Sequence, residues 1–204
     1  MVAVPLSNDP NAPTSGPGKR ERRRELRARR REVAARRDLP ADGERLARLA
    51  LAEVERHGGD RPVTITAYEP LPVEPDVRAL LHDAYDRGMR VLVPLTLADL
   101  DLDWAVWSPD GLGPPLGKHA VAEVTVGFIP GLAVDVGGTR LGQGGGCYDR
   151  ALPRFPSTAP VICVLHPEED RTAPPLPREA HDQVVDAVLS ADGLRWVERP
   201  PARR

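Results

Sequence analysis

The residues best suited to chemistry crowd into one stretch, PGLAVDVGGTRLGQGGGCYDR, from Pro130 to Arg150. Gly142, Gly144, Gly145 and Gly146 remove side chains where a backbone can approach a ligand closely. The stretch follows an apolar run ending at Ile129 and precedes a short helical segment limited by Pro153. Successive amide N–H groups at the mouth of a helix form a concavity that suits phosphate oxygens. Arg140, just before the loop, can add bidentate contacts to such a group. Asp149 falls in the first helical turn, where a carboxylate can hold the magnesium that accompanies a nucleotide. The loop lacks the Lys-Ser/Thr ending of a P-loop, and its glycines miss the dinucleotide-binding spacing. Read only as a glycine-rich turn, it leaves a flexible loop and a phosphate cradle equally open.

The elements that position this loop alternate strand and helix. A basic helix is predicted over about 19–37, where Leu26 and Val33, seven apart, share a face. A second covers roughly 42–57, with Leu46, Leu49, Ala50 and Val54 as its buried stripe and Gly58-Gly59 ending it. The β-branched run Val63–Ala67 is a strand. Pro75 can open the next helix, in which Val77, Leu80, Leu81 and Ala84 recur at helical spacing before Gly88. Further strands are expected at Arg90–Pro94, Leu102–Trp107, Val124–Ile129, Val161–Leu165 and Val184–Leu189. Strands separated by helices favour a mostly parallel sheet covered on both faces.

Composition narrows the class further. A chain of 204 residues fits one α/β domain with tails. Residues 1–18, rich in Pro, Ser, Asn and Gly, read as a disordered tail, 19–198 as the single domain, and 199–204 as a flexible end. No run of eighteen apolar residues predicts a membrane span, and the first residues lack the pattern of a secretory signal. Two cysteines, Cys147 and Cys163, without metal-ligand spacing, argue against a disulfide framework and suit a reducing cytoplasm. The net charge of −2 hides an asymmetry: Lys19–Arg37 carries eleven Lys/Arg against three Glu, a local +8, leaving −10 elsewhere. Such an arm can seek phosphates, but it holds no aromatic residue to stack on bases. Only salt-sensitive, nonspecific nucleic-acid affinity would follow.

The string Arg-Leu-Gly-x-Gly-Gly-Gly-x-Tyr-Asp-Arg, preceded by Pro-Gly-Leu-Ala-x-Asp, resembles the signature of the 5-formyltetrahydrofolate cyclo-ligase family. The resemblance extends from about Arg23 to Leu189. It implies a three-layer α/β/α fold of the NagB/RpiA/CoA-transferase type. It also implies an ATP- and Mg2+-dependent ligase of one-carbon metabolism that makes 5,10-methenyltetrahydrofolate from 5-formyltetrahydrofolate, releasing ADP and phosphate. On that resemblance the ATP-binding set is Arg23, Arg27, Arg140, Leu141, Gly142, Gln143, Gly144, Gly145, Gly146, Cys147 and Tyr148. Arg23 and Arg27 come from a match to the family's basic first helix, with arginine for its usual lysine. Tyr68-x-x-x-x-x-Glu74 reproduces a family spacing and nominates Glu74, with Tyr148, for the folate. His181-Asp182 resembles a family pair that makes Asp182 a second magnesium ligand beside Asp149. No residue is assigned covalent catalysis, no specific nucleic acid or membrane is expected as partner, and the expected state is a monomer. Three departures lie on the folate side: Cys147 where relatives often have tyrosine, Leu95 where they often have arginine, and a shortened Gly111–Pro115 region. They motivate the alternative of a relative that binds ATP but has lost or changed folate turnover.

Overall fold

The computed structural model of the chain describes residues 18–59, 62–170 and 175–197; the two predicted tails, apart from Gly18, lie outside them. The apolar runs become strands β1 (Thr64–Thr66), β2 (Arg90–Thr96), β3 (Leu102–Ser108), β4 (Gly111–Leu112), β5 (Val126–Pro130), β6 (Ala133–Val134), β7 (Arg140–Leu141), β8 (Val161–Val164), β9 (Ala187–Ser190) and β10 (Gly193–Trp196). Eight of them form one sheet in the order β10-β9-β8-β5-β1-β2-β3-β4. The pairs β9–β8, β8–β5, β5–β1 and β1–β2 are parallel, and antiparallel strands close both edges. β6 and β7 form a separate antiparallel ribbon.

Because side chains alternate across a strand, neighbouring residues of the central strands feed different cores. Val91, Val93, Phe128, Ile162 and Val164 meet α2 (Leu39–Gly58) and α3 (Arg78–Asp86) on one face. Leu92, Ile129, Val161 and Cys163 meet Trp104, Leu152 and Phe155 on the other. That second face is covered by α4 (Cys147–Ala151) and the 3-10 turns at Ala120–Glu123 and Leu152–Arg154. The expected three-layer arrangement with a mostly parallel sheet is what the chain adopts.

Element ends depart from the sequence expectations for local reasons. α1 (Lys19–Ala34) stops three residues before Arg37, whose guanidinium turns aside to Asp42. α2 begins earlier than expected because the Asp38 carboxylate accepts from the Ala41 amide, a helix N-cap. It ends where Gly59 takes a φ of 55°. α3 starts at Arg78 rather than at Pro75: Asp76 accepts from the Arg78 amide there. Alternation was too short to reveal β4, β6 and β7, and β10 has only half-buried or exposed residues.

α1 stands apart from the main cores. Leu26 packs with Leu132, Ala133, Leu141 and Leu176 in a small third cluster. The cationic helix is thereby seated on the β6–β7 ribbon, directly beside the glycine loop that follows β7.

Candidate active site

In α/β sheets, ligands favour the carboxyl ends of the strands where the chain order reverses. Here β1 has β2 on one side and β5 on the other, so the reversal lies between β1 and β5. A cleft of about 550 Å³ opens at that place, with Tyr68 after β1, Pro94 and Thr96 in β2, and Pro130-Gly131 at the end of β5. The loop Gly142–Gly146 and α1 form its rim.

The loop is held from outside by its carbonyl groups. Arg23 Nε donates to Gly142 O at 3.0 Å, Arg27 Nη2 to Gln143 O at 2.5 Å, and Arg150 Nη1 to Gly145 O at 2.7 Å. Arg27 Nε also meets the Gln143 side chain at 2.9 Å. Among the described residues, the amides of Gly142 to Gly146 have no protein acceptor. Unmet N–H groups in a row are what an anion needs. Two glycines are required by conformation, since Gly144 has φ 117° and Gly146 φ 67°. The second provides the left-handed entry to α4. Arg23 lies over Gly144, its guanidinium carbon 3.6 Å from where a Cβ would stand.

Arg140 is buried beneath this loop. Its Nη2 donates to Asp149 Oδ2 at 3.1 Å, its guanidinium sits 5.7 Å from the centre of the Tyr148 ring, and its Nε has no partner among the described residues. Asp149 Oδ1 accepts from the Gln183 amide at 3.1 Å, which brings the Asp182 segment alongside. Asp182 Oδ2 is 2.6 Å from Lys19 Nζ and accepts from the Glu179 amide, also at 2.6 Å. Burial disfavours ionisation of Asp182, yet the Lys19 ammonium and the Glu179 amide hold its carboxyl below the usual range. Glu179, His181 and Asp182 can bring one donor atom each within 4.8 Å of one another. The two carboxylates of this group, beside the row of unmet loop amides, are donors that fit Mg2+, which takes one or two carboxylates and fills the rest of its shell with other oxygens, whereas the His181 nitrogen does not favour it.

The floor is formed by phenols and a carboxylate. Tyr68 and Tyr148 line the cleft, and both hydroxyls are buried without a hydrogen-bond partner among the described residues. Burial pushes both phenols upward in pKa, and the Glu74 charge adds to it, so each stays a neutral donor. Glu74 is 5% exposed, and its Oε2 accepts from the Leu71 amide at 3.1 Å. Behind it lies Arg30, 1% exposed, bound bidentately to Glu169. Burial opposes the Arg30 charge, but the Glu169 carboxylate outweighs it and raises the pKa.

The structure gathers Arg23, Arg140, Leu141, the loop Gly142–Gly146, Cys147, Tyr148, Asp149, Glu74 and Asp182 around one cleft. Arg27 is not part of the cleft wall and grips Gln143 from outside. The helix reaches the cavity one turn earlier, through Lys19, Arg20 and Arg23. Of the three folate-side departures only Cys147 lines the cleft; Leu95 and Gly111–Pro115 do not. Sequence reasoning missed Lys19, Tyr68, Arg30 and Glu169. Lys19 shares a face with Arg23 at i, i+4 spacing, a signal that was readable. Glu169 gave none, because its partner Arg30 is 139 positions away.

The model of the 5-formyltetrahydrofolate cyclo-ligase family matches residues 15–191. A 5-formyltetrahydrofolate cyclo-ligase of Mycolicibacterium smegmatis is 36% identical over 143 residues, covering 62% of this chain and 73% of the relative. One from Mus musculus is 37% identical over 75 residues, covering 32% of this chain and 33% of the relative. Among solved structures, a 5,10-methenyltetrahydrofolate synthetase from Mycoplasma pneumoniae superposes with a TM-score of 0.67 at 16% identity, covering 85% of this chain and 98% of that one. The Aquifex aeolicus protein of that name gives 0.58 at 21% identity, over 89% and 96% of the two chains. At such identities the structural likenesses establish the fold.

Proposed function

We propose, for a chain that belongs to the 5-formyltetrahydrofolate cyclo-ligase family, that the cleft binds Mg-ATP along the glycine loop and 5-formyltetrahydrofolate on the Glu74 side. The formyl oxygen of the folate attacks the γ-phosphate and ADP leaves. The neighbouring folate nitrogen then attacks the carbon of the O-phosphorylated formyl group, and phosphate departs with the C–O bond as the ring closes to 5,10-methenyltetrahydrofolate.

Phosphoryl transfer needs alignment and charge compensation more than a protein nucleophile. The residues at the cleft suit that need. Amides from Gly142 to Gly146 would take phosphate oxygens, and Lys19, Arg23 and Arg140 would offset their charge. Asp149 and Asp182 would hold Mg2+, which supplies positive charge at the phosphates. Lys19 and Arg140, freed from these two carboxylates, then face the nucleotide. On the other side, Glu74 accepts from N–H groups of the folate ring, while Tyr68 and Tyr148 donate to its oxygens. No group in this scheme acts as a covalent catalyst.

The reading rests on the row of loop amides without acceptors, opening onto two carboxylates and two unmet phenols. Heat denaturation with and without Mg-ATP tests the nucleotide half. A rise in Tm that disappears when EDTA is added supports it, and an unchanged Tm at saturating Mg-ATP contradicts it. Methenyl absorbance on adding 5-formyltetrahydrofolate tests the other half. Stabilisation without product would leave a nucleotide-binding relative that has lost turnover.

No helix among the described residues is long and apolar enough to cross a membrane.

A further inference from the structure

Behind the cleft floor lies a buried charge cluster that the scheme above does not use. Arg30, on the fourth turn of α1, points inward where Leu26 and Val33 are also buried. Its Nε and Nη2 each donate to one Glu169 oxygen at 2.7 Å, and Nη2 also donates to the Gly131 carbonyl. Glu169 is fixed in turn: its Oε2 accepts from the His166 amide at 3.0 Å as part of a capping box. Two sides of the guanidinium fork are therefore locked. The third side, Nη1, is buried without a hydrogen-bond partner among the described residues and lies 3.8 Å from Glu74 Oε1. That separation is an ion pair but too long for a hydrogen bond.

The turn that carries Glu74 is tied to the same support a second time. His166 Nε2 donates to the Val73 carbonyl at 3.1 Å. The segment His166–Glu169 thus grips the Leu71–Glu74 turn through His166 directly and through Arg30 indirectly. A carboxylate 5% exposed, held on Oε2 by its own turn, has one free oxygen, and Arg30 faces it.

We propose that Arg30, oriented by Glu169, is a positioning residue that fixes the Glu74 carboxylate as an acceptor for the N–H groups of a folate-type ring. This inference rests on the assignment of the Glu74 side to folate. A buried cation N–H is costly to leave unmatched, and the 3.8 Å between Nη1 and Glu74 Oε1 closes to a hydrogen bond with a small shift of the carboxylate. Arg30 then holds the carboxylate in place while it accepts from the ring. Arginine is needed, because only a planar fork can serve Glu169 and Glu74 on different edges at once. Since Arg30 does not line the nucleotide cradle, its loss should separate the two substrates.

The test is steady-state kinetics of Arg30→Met, Arg30→Lys and Glu169→Gln beside the wild type, with calorimetric titration of 5-formyltetrahydrofolate. In Arg30→Met the folate KM is expected to rise at least tenfold while the Mg-ATP KM stays within about twofold. Arg30→Lys restores part of the charge but not the fork and falls between. Glu169→Gln raises the folate KM by less and leaves Mg-ATP alone. If Arg30→Met fails to fold, the other two variants carry the same split. Parallel rises in both KM values, or a folate KM unchanged in any folded Arg30 variant, overturn the positioning role while leaving the cyclo-ligase reading intact. A wild type that binds no folate in the calorimeter overturns both.

Discussion

Gly131→Ala probes the joint on which both halves of the cleft depend. Gly131 follows β5, lines the cleft, and accepts from Arg30 through its carbonyl. A methyl group built there would stand 2.5 Å from Cys163 Sγ and 3.3 Å from Arg140 Cγ. An ordinary contact begins at 3.4 Å, so the sulfur must recede by about 1 Å. It cannot do so freely, since Cys163 is 0% exposed within β8 and packed among Leu92, Trp104 and Leu152. Overpacking of this kind costs about 1–3 kcal/mol. For a domain of this size that is a fall of roughly 2–12 °C in Tm. The Arg140 side chain is displaced too, so the Mg-ATP KM should rise. Cys163→Ala removes the clashing sulfur, and the methyl then fills part of the space it vacates. Scanning calorimetry on both single variants and the double should therefore give a Tm for the double above that expected from adding the two losses. The coupling should be about 1 kcal/mol in the stabilising direction. Strict additivity, or an unshifted Gly131→Ala, would refute the packing argument.

Other outcomes follow from the same geometry. Asp149→Asn should keep the fold but lower kcat about a hundredfold or more, through loss of the carboxylate that pairs with Arg140 and is proposed to hold Mg2+; wild-type-like turnover at limiting Mg2+ removes Asp149 from the mechanism. Arg27→Ala, which releases Gln143, should raise the Mg-ATP KM several-fold with little change in folate KM, because Arg27 acts on the loop from outside. Native protein treated with iodoacetamide should be modified at Cys147 and not at Cys163, whose thiol is pushed up to about 12 by burial. Peptide mapping reads this, and Mg-ATP should slow the Cys147 reaction, since that residue lines the cleft. Arg154 holds the Asp101 carboxyl well below the usual range. That contribution is complete above the unfolded aspartate pKa of about 4 and fades as pH falls through the lower folded value. Arg154→Met should thus be less stable than wild type at pH 7, and the difference should shrink only in strong acid.

The sheet was largely legible because its central strands are continuous β-branched runs, a pattern that buried parallel strands require. Its edges were not: β4 has two residues and β10 buries none of its four. The glycine loop announced itself by composition, but its shape depends on Arg23, Arg27 and Arg150 reaching carbonyl oxygens, two of them from 116 and 119 positions away. By composition the basic helix is only a cationic arm, and the family resemblance singles out just two of its cations, Arg23 and Arg27. In fact four basic residues along one stripe, Lys19, Arg23, Arg27 and Arg30, each meet a different part of the site. A buried arginine such as Arg30 cannot be told from its exposed neighbours by type, since only the location of Glu169 and Glu74 makes its burial tolerable.

The measurement closest to the centre of this account is the ratio of ADP released to methenyltetrahydrofolate formed when purified protein receives 5-formyltetrahydrofolate, ATP and Mg2+ together. The proposed mechanism predicts one ADP for each methenyl product and no product when any of the three is withheld. Methenyl formation without ATP, or ADP release indifferent to the folate, would contradict it.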